Sequence, residues 1–144
     1  MNRFKELEKS AVGFRIPLDE MIRHIKFNDQ GLIPAVAQQF DTKEVLMMAW
    51  MNSDALQETL DTGRVCYWSR SRGGLWRKGE SSGQIQLLKT LTLDCDGDTV
   101  LMQVDQKGPA CHTGRRSCFF YQVGESEVTI NADVLISPDE LYKK

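Results

Sequence analysis

The sequence predicts a β-rich α+β domain built from short antiparallel strands and hairpins, with one or two short helices. Many short apolar segments are separated by glycine, asparagine or aspartate, which is typical of strands joined by turns. Only one segment combines a capping residue, helical spacing and a terminal glycine. The chain has 144 residues, of which 41% are hydrophobic, so we expect a single domain over residues 1–144 with its core at about 34–123.

The N-terminal third is expected to contain a short helix and two strands. Apolar residues within 18–22 have the spacing of a short amphipathic helix. Residues 34–40 and 45–50 predict two strands, joined by a polar turn at 41–44. Residues 1–30 are otherwise mixed and polar, and the sequence indicates no role for them.

The clearest helix is predicted after the second strand. Asn52 or Ser53 can cap its start, and Gly63 suits the left-handed residue that often follows a helix. Further along, Asp96-Gly97 lies between two apolar segments and predicts a hairpin. The remaining strands are predicted at 65–68, 85–93, 99–104 and 118–123, and the tail from Glu125 adds one more strand and a short helix.

Composition excludes several classes of protein. The net charge of -2 argues against a protein that coats nucleic acid. No apolar segment approaches the roughly 20 residues that span a bilayer, and residues 1–9 lack the apolar core of a signal peptide. We therefore expect a cytoplasmic protein, in which the four cysteines are metal ligands or free thiols rather than disulfides.

Three carboxylates and a thiol lie within five consecutive residues, at Asp94, Cys95, Asp96 and Asp98. In extended backbone Asp94 and Asp96 would share one face and Cys95 the other. Hard oxygens suit magnesium, calcium or manganese and soft thiolates suit zinc, so this segment could serve two metals. A polar hairpin turn is the alternative. A calcium loop of the EF-hand type is excluded, because the glycine is fourth rather than sixth.

The thiols are spaced unlike a structural zinc site. Cys95, Cys111 and Cys118 include no C-x-x-C pair, and three protein ligands would leave a fourth zinc position open for catalysis. Cys66 lies in an apolar strand and is interpreted as a small buried hydrophobic residue. His112 follows a proposed ligand, so it is either a general acid or base or an exposed loop residue.

A basic and aromatic stretch spans residues 67–83. Its arginines, hydroxyls, glycines and aromatic rings suit a small phosphorylated ligand with a flat ring. Two edge strands with solvated cations are the alternative interpretation. The candidate substrate-binding residues are Trp68, Ser69, Arg70, Arg72, Trp76, Arg77, Lys78, Glu80, Ser81, Ser82, Arg115 and Arg116.

Residues from about 34 to 123 resemble phosphoribosyl-AMP cyclohydrolase, the histidine-biosynthesis family that opens an adenine ring. Several motifs occur in the family's order, at 45–52, 68–72, 75–83, 94–98, 110–114 and 116–119. Two positions depart from the pattern. Many relatives have His or Asn where this chain has Gln84, and Gly where it has Lys43.

The resemblance implies two metals and a homodimer. Zinc would be held by Cys95, Cys111 and Cys118, with cysteines from both subunits at each site, and magnesium by Asp94, Asp96 and Asp98. Zinc lowers the pKa of bound water from about 15.7 towards roughly 7, so a zinc-activated water would attack C6 and the N1–C6 bond would break. His112 is the candidate for proton transfer. A fused pyrophosphohydrolase domain, known in some relatives, is not expected after Val123.

Two other functions remain possible from sequence. The first is a zinc-stabilised module that binds nucleotides or RNA without catalysis, which the acidic charge and the open zinc position disfavour. The second is a deaminase-like hydrolase acting on another purine. The sequence lacks the H-x-E and P-C-x-x-C signature of the zinc deaminases.

Overall fold

A six-stranded sheet forms the centre of the protein in a computed structural model that describes residues 2–142. Its strands are β1 (Ile33–Gln39), β2 (Val45–Met51), β3 (Cys66–Ser69), β4 (Gly74–Arg77), β5 (Gln86–Leu93) and β6 (Val100–Gln106). The order across the sheet is β4-β3-β2-β1-β6-β5. All neighbours are antiparallel except β1 and β6, which are parallel. The fold is therefore α+β and rich in strands, as the sequence predicts.

Smaller elements surround this sheet. A separate two-stranded ribbon pairs β7 (Tyr121–Val123) with β8 (Val128–Ile130). The helices are α1 (Arg3–Leu7), α2 (Leu18–His24), α3 (Ser53–Thr62) and α4 (Pro138–Leu141). The described residues thus contain four helices rather than one or two, although only α3 exceeds seven residues. Met1, Lys143 and Lys144, which the predicted domain includes, lie outside the described residues.

The helix α3 begins and ends at the predicted residues. The Asn52 side chain accepts a hydrogen bond from the Ala55 N–H at 2.8 Å, and Gly63 has the left-handed φ of 74°. Thr59 joins α3 to β3, because its hydroxyl donates to the Ala55 carbonyl and accepts from the Cys66 N–H at 2.9 Å. This contact fixes the helix against β3, the strand in which the basic and aromatic stretch begins.

One face of the sheet carries the main core. Alternate residues of β1, namely Ile33, Ala35 and Ala37, are fully buried, as expected for a strand with one covered face. Tyr67 is also fully buried, and its hydroxyl donates to Gln86 Oε1 at 2.7 Å. Gln86 in turn donates to Gln106 Oε1 at 2.8 Å, so the polar groups inside this core have partners.

Two predicted boundaries differ from the structure. The strand expected at 118–123 covers only Tyr121–Val123, because the Cys118 N–H donates to the Leu46 carbonyl at 2.7 Å and draws the preceding residues onto β2. The hairpin between β5 and β6 has a six-residue loop, 94–99, rather than a tight turn at the Asp-Gly pair. Within residues 2–142, no helix has the length and apolar character needed to cross a membrane.

Candidate active site

The carboxylate loop, defined as residues 94–98, follows β5 and brings three side chains together. One oxygen from each of Asp94, Asp96 and Asp98 lies within 4.8 Å of the others, and all three residues are exposed. Residues 95 and 96 form a turn, so the extended backbone expected from sequence is wrong here. The turn, not strand alternation, makes the carboxylates converge.

Hydrogen bonds and like charges shape this cluster. The Asp98 N–H donates to Asp94 Oδ1 at 3.0 Å. The pKa of Asp98 is raised, chiefly by the hydrogen bond between its carboxyl group and Asp94, and further by the charges of Asp94 and Asp96. Desolvation acts to raise the pKa of Asp94, but hydrogen bonds from Asp98 and Thr99 outweigh it and the pKa is lowered. A divalent cation would relieve the crowding of negative charge.

A second cluster, the thiol pair, consists of Cys111 and Cys118. Cys111 is buried and Cys118 is half-buried, and both are free thiols. Burial raises the pKa of the Cys118 thiol to about 12, and the neighbouring Cys111 adds to the effect through its charge and a hydrogen bond. Thr113 Oγ1 donates to Cys111 Sγ at 3.1 Å. Cys118 therefore lies close enough to Cys111 for the two thiols to interact, and both are soft donors.

Cys95 is apart from the thiol pair in one copy of the chain. It is exposed on the carboxylate loop. Within residues 2–142, the carboxylates form the single group of three ligand atoms close enough to hold a metal. One chain thus does not bring the three cysteines together, and a zinc site shared between subunits stays a prediction.

Two further predicted residues differ in exposure: His112 is exposed and Cys66 is buried. His112 is exposed beside Cys111, so its ring can be reached by a ligand. Cys66 is fully buried, and desolvation, followed by the Glu58 carboxylate, raises the pKa of its thiol to about 12. Its complete burial supports its interpretation as a small buried hydrophobic residue, because no surface of the side chain is open to a metal or a substrate.

Two cavities lie along the basic and aromatic stretch. The first is an open groove of about 910 Å³ lined by Trp50, Trp68 and Trp76, and the Arg70 guanidinium lies 4.9 Å from the centre of the Trp50 ring. The second, of about 330 Å³, is lined by Arg72, Lys78, Glu80, Ser81 and Ser82 among others. Trp76 lines both cavities. The structure thus gathers most predicted substrate-binding residues into two adjoining spaces.

Three of the predicted phosphate ligands have protein partners instead. Arg77 donates two hydrogen bonds of 2.8 Å to the Glu58 carboxylate. Arg115 Nε donates to the Ala132 carbonyl at 2.9 Å, and Arg116 Nη1 donates to the Gly108 carbonyl at 2.8 Å. Each of these contacts holds a loop or helix in place. No local pattern points to Glu58 as the partner of Arg77, because nineteen positions separate the two residues.

Lys78 connects the second cavity to the thiol pair. Lys78 is 7% exposed, and its ammonium group lies 6.0 Å from the centre of the Trp76 ring. Desolvation lowers the pKa of Lys78, while the charges of Cys118 and Cys111 oppose this shift. Lys78 acts to lower the pKa of the Cys118 thiol, but burial and Cys111 outweigh this effect.

Comparison with known proteins identifies the family to which the chain is similar. The family model described as phosphoribosyl-AMP cyclohydrolase matches residues 47–120, which include both ligand clusters. A relative from Hydrogenovibrio crunogenus named phosphoribosyl-AMP cyclohydrolase is 61% identical over 141 residues, or 98% of this chain and 96% of that protein. Relatives of the same name from Chromohalobacter salexigens and Paramagnetospirillum magneticum are 61% and 64% identical, over 97% and 86% of this chain and 96% and 94% of those proteins.

These matches define the chain as an enzyme of the hydrolase class. More particularly, it belongs to the phosphoribosyl-AMP cyclohydrolase family.

Proposed function

We propose that this protein hydrolyses 1-(5-phosphoribosyl)-AMP by opening its adenine ring at the N1–C6 bond, a step of L-histidine biosynthesis. The observation that supports this most is the thiol pair, Cys111 and Cys118, near a cavity with a buried lysine, in a chain of this family. Soft donors near a basic cavity suit a hydrolase with a phosphorylated substrate.

The donor groups fit two different metals. The interacting thiols suit zinc, and we assign Cys95, Cys111 and Cys118 to it. The three converging carboxylates suit a hard cation, and we assign Asp94, Asp96 and Asp98 to magnesium. Zinc, when bound, supplies Lewis-acid chemistry that makes water nucleophilic near neutral pH.

His112 is the group that we assign to proton transfer. Its exposed position next to Cys111 lets it reach a substrate held near the thiol pair. The attacking water adds its oxygen to C6, which becomes a carboxamide carbonyl as the N1–C6 bond breaks. The water loses both of its protons: one is transferred to N1, and the other is released to solvent as the positive charge of the ring is lost. An imidazole can carry out these transfers.

The two cavities suit a substrate with phosphates at both ends. In the first groove the tryptophans offer flat surfaces for the purine and Arg70 offers a charge for one phosphate. In the second, Arg72 and Lys78 supply charge and Ser82 supplies a hydroxyl donor. Because Trp76 lines both spaces, one molecule can extend across it.

A homodimer with shared zinc sites would complete the ligand set. Cys95 lies on the carboxylate loop, apart from the thiol pair of its own chain. The face of the sheet opposite the core exposes an apolar row, because Val36 pairs with both Met48 and Leu101, which are exposed. A second copy covering this row would bury apolar surface.

The reduced thiols suit a cytoplasmic location.

The direct test is incubation of the purified, metal-loaded protein with phosphoribosyl-AMP. We expect the absorbance change of an opened purine without release of ammonia. Ammonia release would indicate deamination instead, and binding without any absorbance change would indicate a module that lacks catalysis.

A pair of cysteine variants tests the metal assignment. Cys111→Ala should lose bound zinc and turnover, because it removes one of the two interacting sulfurs. Cys66→Ala is the matched control and should keep both, because Cys66 is fully buried in the core. Metal analysis and initial rates of both variants provide the measurement. Full activity of the Cys111 variant would contradict the zinc site.

A further inference from the structure

The N-terminal segment contacts the carboxylate loop through one aromatic ring. Phe4 lies in the first turn of α1, where the Asn2 side chain accepts hydrogen bonds from the Phe4 and Lys5 N–H groups at 3.1 and 3.3 Å. This cap fixes the direction in which the helix starts. The Phe4 residue is only 6% exposed, although α1 has five residues and lies at the edge of the fold.

Gly97, in the middle of the carboxylate loop, lies against the Phe4 ring. Gly97 is buried and has a φ of 70°, and a Cβ atom built on it would overlap the Phe4 ring. The ring therefore lies directly on the Gly97 backbone. A second contact comes from the chain just after α2, where the Lys26 N–H donates to the Gly97 carbonyl at 2.9 Å. Two parts of the N-terminal segment thus hold the same residue.

The position of Gly97 controls where the carboxylates point. The Gly97 N–H donates to the Asp94 carbonyl at 3.1 Å, and the next N–H, of Asp98, donates to Asp94 Oδ1 at 3.0 Å. Three exposed carboxylates at this separation repel each other, so the loop needs an external hold to keep them converged. The Phe4 ring and the Lys26 N–H provide that hold.

Phe4 is not part of the main core. The described cluster of buried residues around the sheet includes Ile25 and Ile33 but does not include Phe4. The burial of this ring is therefore separate from the main core around the sheet. The family match begins at residue 47, so this contact comes from a part of the chain outside the matched region.

We infer that Phe4 is a positioning residue for the divalent-cation site, and that the N-terminal segment keeps the carboxylate loop in its cation-binding form. This inference rests on the proposed assignment of a hard cation to Asp94, Asp96 and Asp98. It gives residues 2–26 a role in the site, although none of their side chains is a proposed ligand.

The test compares two phenylalanines of the same segment in the full-length protein. Phe4→Ala removes the ring over Gly97, and Phe14→Ala is the matched control, since Phe14 is 60% exposed. Mn²⁺ serves as the probe, and electron paramagnetic resonance counts its free fraction. We expect Phe4→Ala to weaken Mn²⁺ binding about 10-fold, as loss of a supporting contact around metal ligands typically does. Phe14→Ala should bind as the unmodified protein does.

A second measurement reports on the loop without any metal. Amide hydrogen exchange at residues 94–98 of the metal-free protein should be faster in Phe4→Ala and unchanged in Phe14→Ala. Phe4→Leu keeps apolar volume but loses the ring face, so it should lie between the two in both measurements. If Phe4→Ala proves too unstable to purify, the Phe4→Leu variant provides the comparison.

The outcomes separate this inference from the proposed function. Failure of the unmodified protein to bind Mn²⁺ would overturn the cation site itself and the role of Phe4 with it. Binding by the unmodified protein and equally tight binding by Phe4→Ala and Phe4→Leu, with unchanged exchange, would overturn the role of Phe4 alone.

Discussion

At the scale of single residues, the partner of each charged group decides which ones are available to a ligand. The Arg77 guanidinium donates hydrogen bonds to Glu58, whereas the Arg70 guanidinium lies over the Trp50 ring at the wall of the large groove. Both look equally suited to phosphate in the sequence. Long-range pairing separates them, and the residue types alone carry no information about it.

His112 is the residue whose removal should affect catalysis without affecting metal. His112→Ala should keep bound zinc and lower kcat by about 10²–10⁴-fold, the usual contribution of a positioned acid or base. His24→Ala is the control, because His24 is exposed at the end of α2. Zinc content and steady-state rates of both variants check this, and an unchanged kcat in His112→Ala would remove the proposed role.

At the scale of elements, the Glu58–Arg77 pair joins α3 to β4 and should make stability depend on pH. The hydrogen bond from Arg77 lowers the pKa of Glu58 below its model-peptide value of 4.5. A carboxylate whose pKa is lower in the folded than in the unfolded protein stabilises the fold fully at pH values above its unfolded pKa. This contribution disappears as the pH falls through the folded pKa. The pair is exposed to water, which screens its charges, so we expect a small contribution to stability.

Glu58→Gln tests this contribution. Urea unfolding of the two proteins should differ at pH 7 and converge only at a pH below the depressed folded pKa of Glu58, where its carboxyl group is protonated. An equal difference at both pH values would mean that the substitution acts through packing.

The turn between β1 and β2 contains a strained residue. Lys43 has a φ of 66°, the left-handed conformation that costs a side-chain-bearing residue about 1 kcal/mol. Lys43→Gly should remove this strain, although glycine loses more chain entropy than lysine on folding. The net result should be a rise of about 0.5 kcal/mol in the free energy of unfolding. Lys43→Ala is the contrast, since alanine keeps the strain and should bring no gain. Urea titration of both variants measures the difference.

The sequence predicted elements whose signals are local, and it missed contacts between distant segments. The helix α3 was predicted from its cap at Asn52 and its end at Gly63, and both are confirmed. The parallel pairing of β1 with β6 was not foreseen, because the two strands lie more than sixty positions apart. The strand expected from Cys118 was too long, since no local signal announces the hydrogen bond to Leu46.

In the candidate site, too, the sequence predicted features with local signals and missed a contact between distant segments. Its donor types and spacing identify the carboxylate cluster, which the structure brings together. The contact of Phe4 with Gly97 had no signal, because a phenylalanine in a polar N-terminal segment does not specify what it covers. Completion of the zinc ligands by a second chain follows from the family resemblance and stays a prediction.

At the scale of the whole molecule, shared zinc sites predict that two inactive variants can restore each other. Cys95→Ala and Cys111→Ala should each be inactive as homodimers. A mixed dimer would contain one site with intact Cys95 from one subunit and intact Cys111 from the other, while its second site would carry both defects.

When the two variants are unfolded and refolded together at equal concentration, half of all the dimers that form should be mixed. With one intact site in each of these, activity should recover to about one quarter of that of the unmodified protein. The refolded single variants are the controls. No recovery in the mixture, with mixed dimers demonstrated by mass, would mean that each site belongs to one subunit.

The parallel neighbours β1 and β6 have a consequence for biosynthesis. Residues 33–39 leave the ribosome long before residues 100–106, so the growing polypeptide carries β1 with one row of backbone N–H and C=O groups unmatched during that interval. Such an edge invites pairing with other chains. Translation speed and chaperone capture between these two points should therefore govern how much of the protein reaches its native state.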